Sequence, residues 1–264
     1  NFKFIKSNIN DIDNIEGSFD LLINLAAQAG VRVSKDMEKN YIDSNISGFK
    51  SVCDFCEKRS IAKLIYASSS SVYQDNYEES YAEGITPEKP KSFYGLTKLF
   101  NEQYAELISK KSPISIVGLR FFSVYGPWGR PDMAYFLFTK KLKNKEIIRL
   151  HNNGSMARDM TYIDDIVDGI KESIKYNAKQ DVGTHDIFNL GNDEPIETSL
   201  MLCKLESLFN MKATKENFTV YDESAKTHAN LSKSKKILNY LPKTKVDDGL
   251  KRFIDWYEAF YEEN

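Results

Sequence analysis

Short uninterrupted apolar runs alternate along the chain with stretches whose apolar positions recur every three to four residues. Residues 20–25 (DLLINL), 62–67 (AKLIYA) and 114–122 (ISIVGLRFF) predict buried strands, and residues 2–5 (FKFI) predict a further short one. Helical spacing runs from about residue 36 to 59 and from about 92 to 110. Buried runs alternating with helices predict βαβ units, hence an α/β fold on a doubly wound, mostly parallel sheet. Past residue 123 the rhythm changes. SVYGPWGRPDMA reads as a Gly- and Pro-rich loop, followed by a helix to about residue 143. A strand at 147–150, the polar turn HNNGS and an extended stretch at 158–163 come next. DIFNLG (186–191) returns to a sheet-like run, and Val246, Leu250, Phe253, Ile254, Tyr257 and Phe260 share one face of a terminal helix. This organisation predicts a sheet domain from residues 1–122 and 160–190, with a smaller lobe from 123–159 and 191–264.

Composition narrows the function classes. The 264 residues are 41% hydrophobic and 28% charged, with a formal net charge of -2, so no global field draws the chain to nucleic acid or an anionic membrane. No apolar run approaches the ~20 residues that span a bilayer, and the opening NFKFIKSNIN lacks the apolar core of a signal peptide. The expected location is the cytoplasm. Cys53 and Cys56 form a C-x-x-C, yet they fall inside GFKSVCDFCEKR, whose apolar spacing is helical. Core packing is therefore the expected role of both, and no metal site is expected.

Candidate chemistry centres on YGLTK. Tyr94 and Lys98 stand four apart, on one face of the predicted helix. An ammonium beside a phenol favours the phenolate, which provides a general base near neutral pH. The competing structural role is a solvated Lys beside a half-buried Tyr. Upstream, YASSSSVY (66–73) places Ser69 and Ser70 after an apolar strand, at the carboxyl end of the sheet, where open α/β folds bind ligands. A hydroxyl there can donate to a substrate oxygen; otherwise the serines cap a strand end.

The stretches NLAAQAGVRVS, YASSSSVY, YGLTK, LRFFSVYGPWGRPDMA, ARDMTYIDDIVDGI and FNLGN, in this order and spacing, span nearly the whole chain. Together they resemble the extended short-chain dehydrogenase/reductase family in its NAD-dependent nucleotide-sugar epimerase branch, most like the UDP-glucuronate 4-epimerases. The resemblance implies a Rossmann-like sheet, NAD as cofactor and a UDP-sugar as substrate. It implies Ser69, Tyr94 and Lys98 as catalytic residues, with Lys98 also on the nicotinamide ribose. Toward the cofactor it implies Asn8 and Ile9 at the adenine, where relatives carry Asp. Ala26, Ala27 and Gln28 would lie by the pyrophosphate, Asn45, Ala67 and Ser68 along the dinucleotide, and Phe121 near the nicotinamide. Toward the substrate it implies Arg158 at the diphosphate, Met133 and Leu150 at the uridine, and Ser69, Ser70 and Ser123 near the sugar. Arg130 and Arg32 are the candidates for a C6 carboxylate, since a guanidinium grips a carboxylate with two hydrogen bonds. Each could instead brace a loop through an ion pair.

Related 4,6-dehydratases carry an Asp-Glu pair where Ser70 and Ser71 stand, so the resemblance implies transient oxidation at C4 and return of hydride. The alternatives are 4-epimerisation of a neutral or N-acetylated UDP-hexose, or a non-catalytic nucleotide-binding relative or inactive fragment. Relatives dimerise through helices corresponding to 36–58 and 92–110, so a homodimer is implied. The glycine-rich turn of the family's first β–α unit has no counterpart here, and the chain opens at Asn1. The expectation is that about fifty residues precede Asn1 in the native protein, carrying the first β–α units of the sheet.

Overall fold

The continuous apolar runs become the strands of a parallel sheet because only burial on both faces accommodates them. The computed structural model describes residues 2–32, 34–73, 80–86, 88–219 and 225–262. The chain divides into two units, one of residues 1–74, 83–121 and 170–189, the other of 75–82, 122–169 and 190–264.

In the first unit, strands β1 (Leu22–Asn24), β2 (Lys63–Ser69), β3 (Ser115–Phe121) and β7 (His185–Leu190) form one sheet in the order β1-β2-β3-β7. The β1–β2 and β2–β3 pairs are parallel, with Leu22 opposite Leu64 and Ser69 opposite Phe121. The fold is thus α/β with a mostly parallel sheet. The expected strand at residues 2–5 does not form. Those residues pair with no neighbouring strand, and Phe2 and Phe4 are exposed.

The predicted helix at 36–59 is a composite. A 3-10 turn (Lys35–Met37) leads into α1 (Glu38–Tyr41), a π turn (Ile42–Ser47) and α2 (Gly48–Lys58). The helix α3 (Phe93–Lys111) starts where Ser92 Oγ accepts from Gly95 N at 3.0 Å, and it ends with Lys110 and Lys111 in the last turn, where cations suit the dipole. Phe49, Val52, Cys53, Phe55 and Cys56 of α2 pack with Leu64, Tyr66 and Ile116 in this unit's core. Burial pushes the Cys53 thiol well up and the Cys56 thiol to about 12, so both pack as small hydrophobes.

In the second unit, β4 (Ser123–Tyr125), β6 (Ala157–Tyr162) and β8 (Pro195–Glu197) form a sheet in the order β4-β6-β8, and β5 (Ile148–His151) pairs with β9 (Lys215–Phe218). The helices α4 (Ala134–Lys143), α6 (Thr198–Leu208), α7 (Ser232–Leu238) and α8 (Val246–Glu262) belong here too, while α5 (Ile163–Asn177) runs across the division. Leu250, Phe253, Ile254 and Tyr257 of α8 enter one core with Tyr135, Phe136 and Leu202. The sequence division assigned residues 160–169 to the sheet domain. They group with the second unit, where Met160–Tyr162 of β6 pair with β4.

Candidate active site

In the first unit the chemistry gathers at the carboxyl ends of the strands. Ser69 ends β2 and Phe121 ends β3, opposite each other in register. Ser69 is buried, and its Oγ accepts from Ser71 N at 3.1 Å, capping the turn Ser70–Val72. Of the two roles expected of the serines, the geometry shows the capping one, at the carboxyl end of the strand. Ser70 stands half-buried in the turn itself.

The start of α3 rides directly on that turn. A Cβ at Gly95 would stand 2.3 Å from Ser71 O and 2.8 Å from Pro90 Cβ, so only glycine permits this approach. Gly95→Ala is expected to push Tyr94 away from the serine turn and lower kcat about 10²-fold, as a misplacement of about 1 Å at a reacting group does. Steady-state kinetics beside a circular dichroism spectrum tests this. Unchanged kcat in a folded variant would refute it.

Tyr94 and Lys98 lie on one face of α3, with Lys98 Nζ 5.9 Å from the centre of the Tyr94 ring. The solvated-lysine alternative is overturned. Lys98 is only 3% exposed, and its Nζ donates to Ala67 O at 2.8 Å. Burial lowers its pKa from 10.5 to about 8, against the pull of Glu102 in the other direction. Tyr94 is also held by residues that spacing alone did not single out. Tyr41 meets its ring edge-on at 6.3 Å, and Tyr41 Oη donates to Ala29 O and Gly30 O. Thr97 Oγ1 donates to Tyr94 O at 2.8 Å.

The candidate cofactor residues divide into two kinds. Ala26 and Ala27 follow β1 as an exposed loop of small residues, with Ala26 N donating to Asn24 Oδ1 at 3.2 Å. Gln28 is clamped through its backbone: its N donates to Asn45 Oδ1 at 2.8 Å, and its O accepts from Asn45 Nδ2 at 2.9 Å. Asn45 also donates to Thr97 Oγ1 at 3.0 Å. Its buried side chain thus shapes the loop that was expected to run along the dinucleotide.

Ser68, expected along the dinucleotide, likewise uses its side chain within the protein. Its Oγ turns inward and donates to Glu102 Oε1, so only its backbone remains for a ligand. The Asn8 Oδ1 caps a 3-10 turn by accepting from Asn10 N at 3.0 Å, and Ile9 packs on the core of the unit. Phe121 is half-buried at its strand end. A dinucleotide fits the remaining set. The residues of the Ala26–Ala27 loop are small, and the Lys98 ammonium gives one of its three protons to Ala67 O, a group able to donate to sugar hydroxyls as well.

In the second unit a separate cleft is lined by Ser123, Met133, Tyr135, Arg158, Met160 and Met201, among others. Three residues singled out in the sequence for substrate thus line one cavity: Ser123, Met133 and Arg158. Ser123 pairs with Met160 across β4 and β6, and Arg158 with Ile196 across β6 and β8. Arg158 Nη1 donates to Ala157 O at 2.9 Å. Beside it, the buried Asp159 accepts from the backbone N of Asn192, Asp193 and Ala229, anchoring two loops to β6.

Leu150, expected toward the uridine, lies in the core of the second unit and is not among the residues lining this cleft. Arg130 is exposed and forks onto Asp132, with Nε to Oδ1 at 2.9 Å and Nη2 to Oδ2 at 2.5 Å. The loop-bracing alternative thus describes Arg130 as it stands. Arg32 lies exposed in the first unit.

With this geometry in view, the comparisons are specific. Residues 2–191 match the family described as NAD dependent epimerase/dehydratase. Uncharacterized protein MJ1055 of Methanocaldococcus jannaschii is 41% identical over 263 residues, covering 97% of this chain and 79% of that protein. UDP-glucuronate 4-epimerase 4 of Arabidopsis thaliana is 37% identical over 97% of this chain, which spans 63% of that protein. The crystal structure of UDP-glucuronic acid 4-epimerase from Bacillus cereus, in complex with UDP-glucuronic acid and NAD, superposes with a TM-score of 0.86. It is 30% identical over 97% of this chain and 79% of its own.

Proposed function

The chain belongs to the NAD dependent epimerase/dehydratase family, an NAD-dependent enzyme family, and from that premise we propose that it interconverts UDP-glucuronate and UDP-galacturonate by 4-epimerisation. The observation that carries this reading is the buried Lys98 ammonium on the same helix face as Tyr94, at the strand ends that carry Ser69. Relatives named UDP-glucuronate 4-epimerase support the uronate.

Tyr94 takes the proton from the sugar 4-hydroxyl and later returns it, with Ser69 donating to the same oxygen. The Lys98 ammonium stabilises negative charge on the phenol oxygen during both transfers. The loop at Ala26–Gln28, the backbone at Ala67–Ser68, Phe121 and Lys98 would hold the cofactor. A bound NAD would supply the reversible hydride acceptor that the 4-epimerisation requires. Arg158 holds the diphosphate, with Met133 toward the base and Ser123 toward the sugar, so the nucleotide stays anchored while the 4-keto sugar turns its other face. Ser70 and Ser71 provide no carboxyl group for elimination, which favours epimerisation over dehydration. In this proposal Arg130 exchanges Asp132 for the substrate carboxylate, and Arg32 is a second candidate.

NMR of the product formed from UDP-glucuronate in the presence of NAD tests the reading, run beside UDP-glucose and UDP-N-acetylglucosamine. Faster turnover of either neutral sugar would replace the uronate assignment. Arg158→Ala is expected to raise KM about 10- to 100-fold, the worth of a charge-assisted hydrogen bond to phosphate, with kcat far less affected. An unchanged KM would remove Arg158 from the binding group.

The cytoplasmic homodimer belongs to the same proposal. Leu96, Phe100 and Leu107 stand exposed along α3, a stripe that a second copy would cover. No described helix is long and apolar enough to cross a membrane. Phe100→Glu is expected to yield monomers in analytical ultracentrifugation; a dimer persisting unchanged would move the interface elsewhere.

A further inference from the structure

Below the acid–base pair lies a buried ion-pair cluster that the mechanism has not used. Tyr94, Lys98 and Glu102 follow one another at four-residue spacing along α3. Glu102 and Arg120 of β3 are 3% and 1% exposed. Arg120 grips Glu102 with two hydrogen bonds, Nε to Oε1 at 2.8 Å and Nη2 to Oε2 at 2.7 Å. The same guanidinium reaches Glu88 and lies over the Tyr73 ring at 4.5 Å. Glu102 Oε1 also accepts from Ser68 Oγ, one residue before Ser69 and one after the carbonyl that receives Lys98.

A buried ion pair rarely adds stability over apolar residues of the same size, so its presence here calls for another role. We propose that Glu102, gripped by Arg120, is a positioning residue for the acid–base centre: it counterbalances the Lys98 ammonium and ties the strand end that carries Ser69 to the helix that carries Tyr94. This rests on the epimerase reading only for the word acid–base; the electrostatic part stands without a substrate.

The charges are few. Burial lowers the Lys98 pKa to about 8, and Glu102 is the charged group that acts on it in the opposite direction. Around the pair stand Tyr66 of β2, Tyr73, Glu88 and Arg120. Burial raises both tyrosines well out of the neutral range, so neither titrates there. The Glu102 hydrogen bonds hold Arg120 charged against burial. Removing the Glu102 charge therefore leaves Lys98 with burial alone, and the ammonium is lost at a lower pH.

The test has two readouts on the whole chain. The first is the 13Cε shift of labelled lysine, with the Lys98 signal identified by its absence in Lys98→Met. Glu102→Gln is expected to lower the Lys98 midpoint by about one unit. Equal midpoints in the two proteins overturn the proposal whether or not any UDP-sugar is turned over.

The second readout is the pH profile of kcat. A one-unit fall cuts the ammonium fraction at pH 8 from about one half to about one tenth, so kcat drops about fivefold there and changes little at pH 6.5. A loss equal at every pH marks a merely structural role and overturns the proposal. Glu102→Asp, which keeps the charge, is expected to restore most of the alkaline limb. Should Glu102→Gln fail to fold, the double variant Glu102→Gln, Arg120→Met leaves no orphaned guanidinium and carries the same midpoint test, with a fall of about half a unit expected. Absent turnover in the unaltered protein with every UDP-sugar would sink the epimerase reading, while the lysine titration decides this one alone.

Discussion

Tyr94→Phe is expected to lower kcat by at least about 10³-fold while leaving NAD and UDP-sugar affinity within about threefold. The phenol oxygen is asked to serve as base in one half-reaction and acid in the other, and a positioned general acid–base group contributes about 10²–10⁴-fold at each use. The ring itself packs edge-on against Tyr41, and its helix is held by Thr97 and by Gly95 on the serine turn, none of which involves the hydroxyl. Phe therefore fills the same space, and the loss falls on turnover instead of binding. Near-normal epimerisation by this variant, measured by NMR of the product, would end the assignment of Tyr94.

Lys98→Met is expected to abolish turnover and yet raise thermal stability near neutral pH. The Lys98 pKa stands at about 8 when folded against 10.5 for an unburied lysine. Holding the charge inside thus costs roughly 3 kcal/mol. The cost is fully present below about pH 8 and fades as pH rises toward 10.5, because the unfolded chain binds the extra proton throughout that window. Losing the hydrogen bond to Ala67 O takes back about 1–3 kcal/mol. The net gain for Met is therefore about 1 kcal/mol at pH 7, or about 2–4 °C for a chain of this size. Above about pH 10.5 the order reverses, since the neutral amine still donates and no longer carries the penalty. Scanning calorimetry at pH 7 and pH 10.5 checks both signs. A variant less stable than the parent at pH 7 would mean that the buried ammonium is not a strained group, and its place in the chemistry would lose its support.

Spacing alone placed Tyr94 and Lys98 on one helix face, and the structure agrees. Spacing could not tell a solvated lysine from a buried one. That difference arises where β2 passes beneath α3, offering Ala67 O to the amine, and where Glu102 and Arg120 supply a paired environment from two distant segments. The substrate side divides in the same manner. Arg158 and Met133 were legible from motif position, and they line one cleft. Leu150, placed toward the uridine on the same grounds, lies in the core, because the alternation along β5 turns it inward.

Among the elements, the long apolar runs at β2 and β3 and the strong helical periods of α3 and α8 appear where the pattern put them, within one or two residues at most ends. Residues 2–5 share the apolar character of a strand but not a partner to bond with, and hydrogen-bond pairing, not hydrophobicity, makes a strand. The helix α5 escaped notice because IDDIVDGIKESIKYN mixes a buried stripe with many charges, a pattern whose meaning depends on what packs against it.

By itself the sequence determined the class of fold, the helix face that Tyr94 and Lys98 share and the family to which these motifs belong. Local order of this kind follows from nearest-neighbour sterics and the period of apolar residues, both written in consecutive positions. Tertiary structure alone decided which side chains are spent on scaffolding, as with Asn45, Ser68 and Asn8, and which charge is buried, as with Lys98, Glu102 and Arg120. Desolvation and hydrogen-bond satisfaction depend on groups brought together from far apart in the chain, and no reading of consecutive residues contains them.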